Sequence, residues 1–248
     1  MHLDDYLGQY KRVAVAFSGG VDSSYLLYAA KAAGCDVRAY FIKSQFQPQF
    51  ELDDAMEVAG FIGVPLVVHE VDALLDPAVA DNPPRRCYFC KHVIFAKLLE
   101  LSHADGIDVL FDGSNADDDE TDRPGMLALR ERGVISPLRE CGLTKADIRR
   151  LSKEAGLFTH DKPSYACLAT RIPTGTAITA ELLNKVENAE TALFGMGFTD
   201  FRVRFAPPDM ARVQMPAADW DLAASKRSDI LKAINPYFNS VVLDLKLR

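Results

Sequence analysis

Near its beginning the chain reads Val13-Ala-Val-Ala-Phe-Ser18-Gly19-Gly20-Val21-Asp22-Ser23-Ser24, an apolar run followed by two glycines and a serine-rich segment. The apolar run predicts a buried strand, and the residues from Ser23 onward predict the start of an amphipathic helix. A strand, a tight turn and a helix N-terminus together present backbone N–H groups that can bind phosphate oxygens. Glycine allows close approach because it has no side chain. We therefore predict a phosphate-binding loop over residues 18–24.

The predicted loop offers hydroxyl and carboxylate groups, but it lacks the lysine that a Walker-A loop carries. Ser18, Ser23 and Ser24 add hydroxyl donors, and the Asp22 carboxylate is a candidate ligand for Mg²⁺. The segment resembles the PP-loop of the ATP-pyrophosphatase superfamily, which cleaves ATP between its α- and β-phosphates and forms adenylated intermediates. The resemblance implies ATP and Mg²⁺ as cofactors, with Ser18 and Asp22 catalytic. It further implies ATP contacts at these positions: Gly19, Gly20, Val21, Ser23, Ser24, Phe41, Lys43, Asn115 and Asp117.

Composition narrows the class of protein. The 248 residues are enough for one large domain or two smaller ones. A formal net charge of −7 argues against a broad nucleic-acid-binding surface. No stretch approaches the roughly 18 apolar residues of a membrane span, and the acidic N-terminus does not resemble a signal peptide. Five cysteines fit free thiols in a reducing compartment better than a disulfide framework. We expect a cytoplasmic protein without membrane or nucleic-acid partners.

Strand and helix patterns alternate along the first part of the chain, which predicts an α/β fold with a doubly wound, mostly parallel sheet. The predicted strands are residues 13–17, 36–42, 66–71 and 108–111, and the predicted helices are 52–62 and 92–102. Ligands of such sheets bind outside the carboxyl ends of the strands. We therefore expect the segments that follow strands, residues 18–24, 43–47 and 112–117, to converge on one edge.

The second part of the chain has a different pattern. Thr144 and Asp147 predict a capped helix start, and residues 159–176, rich in Pro, Gly and Thr, predict a linker. A smaller α+β domain is predicted from helices 180–196 and 217–234 and strands 201–205, 210–215 and 240–246. We expect three parts: a PP-loop domain over 1–160, a linker over 161–178 and a small substrate-binding domain over 179–248.

Cys167 lies in the predicted linker, with Lys162 five residues before it and Arg171 four residues after it. A free thiol has a pKa of about 8.5, and nearby cations lower the pKa and raise the thiolate fraction. Most single cysteines are small buried hydrophobic residues instead. Spacing alone therefore leaves both a nucleophile and a structural cysteine open.

Three segments together resemble the LarE family of sulfur transferases: the SGGVDSS loop, Arg86-Cys-Tyr-Phe-Cys-Lys91, and Lys162-Pro-Ser-Tyr-Ala-Cys167-Leu-Ala-Thr-Arg171. The likeness spans nearly the whole chain. It implies adenylation of a carboxylate of pyridinium-3,5-biscarboxylate mononucleotide, in the synthesis of the nickel-pincer nucleotide cofactor. It also implies that Cys167 captures the activated acyl group and gives up its sulfur by C–S cleavage, which leaves dehydroalanine. Cys167 has no cysteine within twenty residues, so the iron–sulfur-cluster variant of the family is disfavoured.

The resemblance also implies site residues outside the loop. Arg202 and Arg204 match an Arg-x-Arg pair that shares one strand face and could hold a substrate phosphate, although charged strand faces are often only solvated. Two acidic positions are candidate catalytic residues, Glu190 and Asp221. The remaining candidate substrate contacts are Arg86, Lys91 and Arg171. Family members form oligomers, so we expect a homo-oligomer.

Two motifs have weaker functional interpretations. Cys87 and Cys90 lack two further ligands at suitable spacing, so a structural zinc site is disfavoured. The acidic run Asp117-Asp-Asp-Glu120 is more typical of a solvated loop than of a metal site.

Three alternatives to the LarE function stay open. A PP-loop tRNA thiolase would need a basic RNA-binding surface, which the net charge argues against. An amide-forming adenylating synthetase would not explain a cysteine in the linker. A non-catalytic nucleotide sensor would bind ATP without releasing pyrophosphate.

Overall fold

A parallel sheet forms the centre of the first part of the chain in the computed structural model, which describes residues 2–118 and 124–246. The helices and strands follow in this order: α1 (Leu3–Leu7), β1 (Arg12–Ala16), α2 (Val21–Ala32), β2 (Asp36–Lys43), α3 (Gln49–Ile62), β3 (Leu66–Glu70), α4 (Pro77–Ala80), α5 (Arg86–Ala104), β4 (Leu110–Phe111), α6 (Pro124–Glu131), α7 (Pro137–Glu140), α8 (Lys145–Glu154), α9 (Ala180–Gly195), β5 (Arg202–Ala206), β6 (Met210–Gln214), α10 (Trp220–Ser225), α11 (Arg227–Ile234) and β7 (Ser240–Leu243).

The chain divides into two units. The N-terminal unit consists of Met1–Ala73 and Arg85–Tyr165, and the C-terminal unit consists of Leu74–Pro84 and Ala166–Arg248. The chain thus passes from one unit to the other between Tyr165 and Ala166, inside the segment that its composition predicts as a linker. The division by function into a PP-loop domain, a linker and a substrate-binding domain stays a prediction.

The sheet of the N-terminal unit has the strand order β3-β2-β1-β4, and every pair is parallel. Because β2 and β3 extend to one side of β1 and β4 pairs on the other, the strand order reverses between β1 and β4. Ligands of open parallel sheets bind in the crevice at this kind of reversal. The predicted α/β fold is confirmed, and its sheet places the loops after β1 and β4 beside each other.

Both faces of this sheet are buried, as expected for parallel strands covered by helices. On one face Val13 and Val15 of β1 pack with residues of α2, α3 and α8. On the other face Ala14 and Tyr40 pack with residues of α5 and α6. Neighbouring strand residues point to opposite faces, so a strand that is buried on both faces needs an uninterrupted apolar run. The sequence of β1 is such a run.

The C-terminal unit contains a mixed three-stranded sheet. β5 and β6 are antiparallel, whereas β6 and β7 are parallel. The segment before α5 also belongs to this unit, because the buried Asn82 donates through Nδ2 to the carbonyl oxygen of Pro173 at 2.9 Å, and Ile178 N–H donates to the Ala80 carbonyl at 2.7 Å. These bonds hold the backbone of residues 173–178 in place.

Several predicted boundaries differ from the structure. Helix α5 begins at Arg86 rather than at residue 92, so Cys87 and Cys90 lie on the helix. The helix predicted over 217–234 is two helices that join at Lys226. Helix α6 and the parallel bridge between Phe111 and Ile135 were not predicted.

The predicted start of α8 is confirmed. Thr144 is the N-cap, its hydroxyl oxygen accepts from the Asp147 N–H, and the Asp147 carboxylate accepts from the Thr144 N–H, which forms a capping box. The Thr144 hydroxyl also donates to the Asp147 carboxylate. This bond, and then the bond from the Thr144 N–H, hold the pKa of Asp147 below its usual range. Within residues 2–118 and 124–246, no helix has the length and apolar character needed to cross a bilayer.

Candidate functional site

Residues 18–24, here called the glycine loop, connect β1 to α2. Gly20 is the N-cap of α2 and supplies no capping side chain. The Ser18 and Ser23 hydroxyls lie 3.1 Å apart, and the Ser23 hydroxyl also donates to the Gly20 carbonyl at 3.3 Å. Ser18 is exposed and Asp22 half-exposed, whereas Ser23 and Ser24 are buried. The accessible groups of the loop are therefore Ser18, Asp22 and the backbone at the start of α2, a set that suits a phosphate ligand.

Two glycines let neighbouring backbone segments approach the loop closely. Gly19 has φ +69°, and a Cβ there would lie 2.9 Å from the Ala55 nitrogen of α3. Gly113, in the loop after β4, would place a Cβ 2.9 Å from the Ser23 nitrogen. A side chain at either position would displace backbone. The loops that follow β1 and β4 therefore meet, as the sequence predicts for these two segments.

A polar cluster surrounds Asp22. The Asp22 carboxylate pairs with the ammonium group of Lys145, the first residue of α8, and accepts from the Asn115 amide at 3.3 Å. The Lys145 N–H donates to the Asp117 carboxylate at 2.7 Å. Asn115 and Asp117, both predicted ATP contacts, thus lie in the Asp22 cluster. Asp119 and Glu120 of the acidic run fall outside the described residues.

Lys162 lies against the glycine loop. Its ammonium group pairs with the Asp54 carboxylate and lies 3.4 Å from the Gly19 carbonyl oxygen. It also lies 5.5 Å from the centre of the Phe50 ring, which packs edge-on against Tyr165. The spacing of Lys162 from Cys167 suggests an effect on the thiol, but this ammonium group contacts Asp54, Gly19 and the Phe50 ring.

The other predicted positions of the N-terminal unit are less accessible. Phe41 is buried in the core, and the Lys43 ammonium donates to the Gln47 carbonyl. Arg86 is buried with its guanidinium 5.8 Å from the Phe46 ring centre, and Lys91 lies at the same distance from the Phe95 ring. Their roles in ATP or substrate binding stay predictions. Within the described part of the chain no three His, Cys, Asp or Glu residues are grouped to hold a metal.

Residues 166–171, here called the cysteine turn, belong to the C-terminal unit. Leu168–Arg171 form a 3-10 helix, and Cys167 is half-exposed. The Cys167 carbonyl oxygen accepts two hydrogen bonds from Thr170, one from its N–H at 2.9 Å and one from its hydroxyl at 2.8 Å. The backbone of the cysteine is therefore fixed locally while its side chain stays partly accessible.

A buried ion pair supports the cysteine turn. Arg171 and Glu190 are 1% and 2% exposed, and the guanidinium binds both carboxylate oxygens, Nε to Oε1 at 2.9 Å and Nη2 to Oε2 at 3.1 Å. Glu190 also accepts from the Val203 N–H at 2.8 Å. Charged side chains are rarely buried to this degree unless they are paired. The pair joins the turn to α9 and β5.

Arg202 and Arg204 lie on β5, as predicted. Arg204 donates to the Thr170 carbonyl at 2.9 Å and to the Gln214 side chain, and Arg202 is buried. Burial, and then the nearby guanidiniums of Arg171 and Arg212, lower the Arg204 pKa. An anion bound here would relieve that repulsion. Asp221 is exposed in the first turn of α10.

Comparison with known proteins assigns the chain to a family. Residues 11–126 match a family model described as a tRNA methyl transferase HUP domain. The chain is 34% identical over 210 residues to the pyridinium-3,5-bisthiocarboxylic acid mononucleotide synthase of Lactiplantibacillus plantarum. The aligned region covers 84% of this chain and 76% of that protein. The chain belongs to the LarE family. It is thus an ATP-dependent, sulfur-transferring enzyme built on a PP-loop domain.

Other relatives of this LarE-family chain differ in how much of its length they align with. An uncharacterized protein of Synechocystis sp. is 36% identical over 216 residues, covering 87% of this chain and 80% of that protein. The tRNA-specific 2-thiouridylase MnmA of Pseudothermotoga lettingae is 30% identical over 188 residues, covering 61% of this chain and 54% of that protein. Similarity to the tRNA enzyme therefore extends over a smaller share of both chains.

Sequence reasoning missed two features of this LarE-family chain. Lys145 lies 123 residues from Asp22, so no local pattern relates it to the loop; the only available signal is the capped helix start, which places it in the first turn of α8. Thr170 lies between Cys167 and Arg171 in the segment that resembles the LarE family, and its residue type alone indicates no role. A pattern of residue types does not indicate which carbonyl a hydroxyl will bind.

Proposed function

We propose that this protein activates a carboxylate of pyridinium-3,5-biscarboxylate mononucleotide with ATP and replaces its oxygen with the sulfur of Cys167. The proposal places the protein in nickel-pincer nucleotide synthesis, in the cytoplasm, where a thiol stays reduced. The observation that carries it is the half-exposed Cys167 on a fixed turn. The resemblance matches this cysteine to the family's sulfur-donating position. The name of the 34% identical relative supports the class of substrate.

The proposed reaction has three steps. A carboxylate oxygen attacks the α-phosphorus of ATP, and pyrophosphate leaves with the electrons of the broken P–O bond. The Cys167 thiolate then attacks the acyl carbon and expels AMP, which leaves a thioester. A base removes the Cα proton of Cys167, the electron pair forms the Cα=Cβ bond, and the Cβ–S bond breaks toward sulfur. The products are a thiocarboxylate and dehydroalanine, so no external oxidant or reductant is needed.

The glycine loop is the proposed site for the ATP phosphates. Its exposed Ser18, its uncapped helix N-terminus and its half-exposed Asp22 fit a magnesium–phosphate ligand. Mg²⁺ is commonly held by one or two carboxylates together with substrate phosphates, so a protein cage is not required. Bound there by Asp22, the ion would neutralise phosphate charge. Lys145 and Lys162 are proposed to supply the cations that the loop sequence lacks.

Arg202 and Arg204 are the proposed ligands for the phosphate of the mononucleotide. Arg204 is partly accessible, and burial, followed by its positive neighbours, lowers its pKa. Guanidinium groups bind phosphate through paired N–H donors. Roles for Asp221, Arg86 and Lys91 in binding or catalysis are proposed on the family resemblance alone.

Intact-mass spectrometry tests the proposal most directly. Wild-type protein is incubated with ATP, Mg²⁺ and the pyridinium biscarboxylate, and pyrophosphate is measured in parallel. We expect a mass loss of about 34 Da, the mass of H2S, located at Cys167 by peptide mapping. Cys167→Ala should release pyrophosphate but yield no thiocarboxylate. Cys141→Ala is the matched control and should behave as wild type, because burial raises the pKa of the Cys141 thiol and disfavours its thiolate.

Each alternative predicts a different result in the same assay. A thiolated product with unchanged protein mass would indicate an external sulfur source and would contradict the sacrifice of Cys167. Pyrophosphate release with no sulfur in the product would favour an amide-forming synthetase, and ATP binding without pyrophosphate would favour a sensor. The partial match to a tRNA thiouridylase makes unmodified tRNA the necessary comparison substrate. Thiolation of tRNA but not of the pyridinium compound would replace the proposal.

A further inference from the structure

The sulfur-releasing step requires removal of the Cα proton of Cys167, and this is a difficult step because a peptide Cα–H is a weak acid. As that proton leaves, negative charge moves onto the adjacent carbonyl oxygen of Cys167. Donors already aimed at that oxygen would stabilise the charge, as oxyanion holes do in acyl transfer. The Cys167 carbonyl has two such donors, the N–H and the hydroxyl of Thr170, at 2.9 Å and 2.8 Å.

Arg171 determines the direction in which the Thr170 hydroxyl donates its proton. Arg171 Nη1 donates to the Thr170 oxygen at 2.9 Å, and the same nitrogen donates to the Ala166 carbonyl at 2.8 Å. A hydroxyl has one proton to give, and a guanidinium can only donate. With its oxygen accepting from Arg171, Thr170 gives its proton to the Cys167 carbonyl. The positive charge of Arg171 also strengthens that hydrogen bond.

Burial explains why Arg171 can hold this position. Glu190 holds one edge of the Arg171 guanidinium by accepting from Nε and Nη2, and Glu190 itself accepts from the Val203 N–H. At 1% and 2% exposure, Arg171 and Glu190 offer almost no surface to a small molecule. Arg204 adds a further restraint, because it donates to the Thr170 carbonyl at 2.9 Å. The hydrogen bonds of the turn thus lead from a buried ion pair to the oxygen where charge develops.

We propose that Thr170 is a catalytic residue of C–S cleavage, and that Arg171 and Glu190 are positioning residues that orient it. Thr170 stabilises the enolate form of the Cys167 peptide after a base takes the Cα proton. The electron pair then returns to form Cα=Cβ as sulfur departs with the Cβ–S electrons. This role rests on the proposed function. It gives Arg171 and Glu190 a task other than direct contact with substrate.

Single-turnover mass spectrometry of Thr170→Val tests this role. The variant keeps the branched side chain but loses the hydroxyl. We expect it to release pyrophosphate and form the Cys167 thioester as wild type does, and then to form dehydroalanine about a hundredfold more slowly. The thioester adduct should therefore accumulate. Thr170→Ser should restore cleavage, and Arg171→Lys, which lacks the planar fork, should accumulate the adduct to a smaller degree.

Control variants separate catalysis from folding. Thr179→Val removes another hydroxyl of the C-terminal unit, the N-cap of α9, and should lower Tm without accumulating adduct. If Thr170→Val does not fold, Thr170→Ala removes the same hydroxyl with less bulk and is measured instead. Dehydroalanine formation at the wild-type rate in a folded hydroxyl-free variant overturns the role of Thr170 alone. Wild-type protein that never loses sulfur overturns the proposed function and this inference with it.

Discussion

The glycine loop and the cysteine turn are both short backbone segments, but their geometry has different origins. The shape of the glycine loop follows from residues within and next to it: two glycines, the strand before it and the helix after it. The cysteine turn depends on Glu190, which lies 19 residues from Arg171 on another element. One segment is determined mainly by local conformational preference and the other by a buried ion pair.

This difference predicts different responses to mutation. Backbone N–H groups cannot be removed by changing a side chain, so the glycine loop should be sensitive chiefly to substitutions that add bulk. The cysteine turn should be sensitive to substitutions that remove one charge, because an unpaired buried charge is strongly destabilising. Three changes in and around the glycine loop, together with the Thr170 and Arg171 variants, test the contrast.

The largest effect is expected for Gly19→Ala. A Cβ at Gly19 would lie 2.9 Å from the Ala55 nitrogen and 3.0 Å from the Glu51 oxygen, both backbone atoms of α3. The positive φ costs an L-residue about 1–2 kcal/mol, and the overlap adds about 1–3 kcal/mol. We expect pyrophosphate release to fall by about a hundredfold, because the displaced loop backbone no longer fits the phosphates, and a loss of about 2.7 kcal/mol of transition-state stabilisation corresponds to that factor.

Gly34→Ala is the control for Gly19→Ala. Gly34 has φ +87° but no atom within 4 Å of the added Cβ, so only the strain of the positive φ applies. Urea denaturation and a pyrophosphate assay should show a stability loss in both variants and an activity loss in Gly19→Ala. Equal activity in the two would mean that close packing of the loop against α3 is not required.

A medium effect is expected for Lys145→Ala. The substitution removes the ammonium group that pairs with Asp22, and we expect the KM for ATP to rise about tenfold, or about 1.4 kcal/mol of binding. Lys153→Ala, at an exposed position of the same helix, is the matched control. An unchanged KM in Lys145→Ala would remove this lysine from the phosphate site.

The smallest effect is expected for Thr144→Ala. Loss of this N-cap costs about 1 kcal/mol of stability and loosens the first turn of α8, where Lys145 lies. Thermal unfolding should show a small decrease in Tm, and the KM for ATP should rise less than in Lys145→Ala. Thr144→Ser keeps a capping hydroxyl and should resemble wild type. If the KM for ATP rose more in Thr144→Ala than in Lys145→Ala, the N-cap would affect ATP binding by some route other than the position of Lys145.

The parallel sheet is predictable from the sequence because the patterns that indicate it are local. Apolar runs such as residues 13–17 can be buried on both faces only when helices cover both sides, and the alternation of strand and helix supplies those helices. The capping box at Thr144 was predicted for the same reason, since its partners lie three residues apart. Boundaries were less accurate where periodicity weakens, as at the start of α5.

The buried state of Arg171 was not predictable from its surroundings in the chain. A charged residue in a Pro- and Gly-rich segment is ordinarily solvated, and the resemblance suggested a substrate contact. In the structure Arg171 is buried beside Glu190, and its contact with substrate stays a prediction. Burial of a charge is favourable only when its partner is already in place, and that partner comes from α9.

Local sequence was thus sufficient for the strand–loop–helix unit and its glycine turn, because backbone conformation depends on neighbouring residues. Tertiary structure alone decided that Lys145 meets Asp22, that Arg171 meets Glu190, and that Thr170 is oriented toward the Cys167 carbonyl. Electrostatic pairing and hydrogen bonding act through space over a few ångströms. Which residues come that close depends on the packing of whole elements.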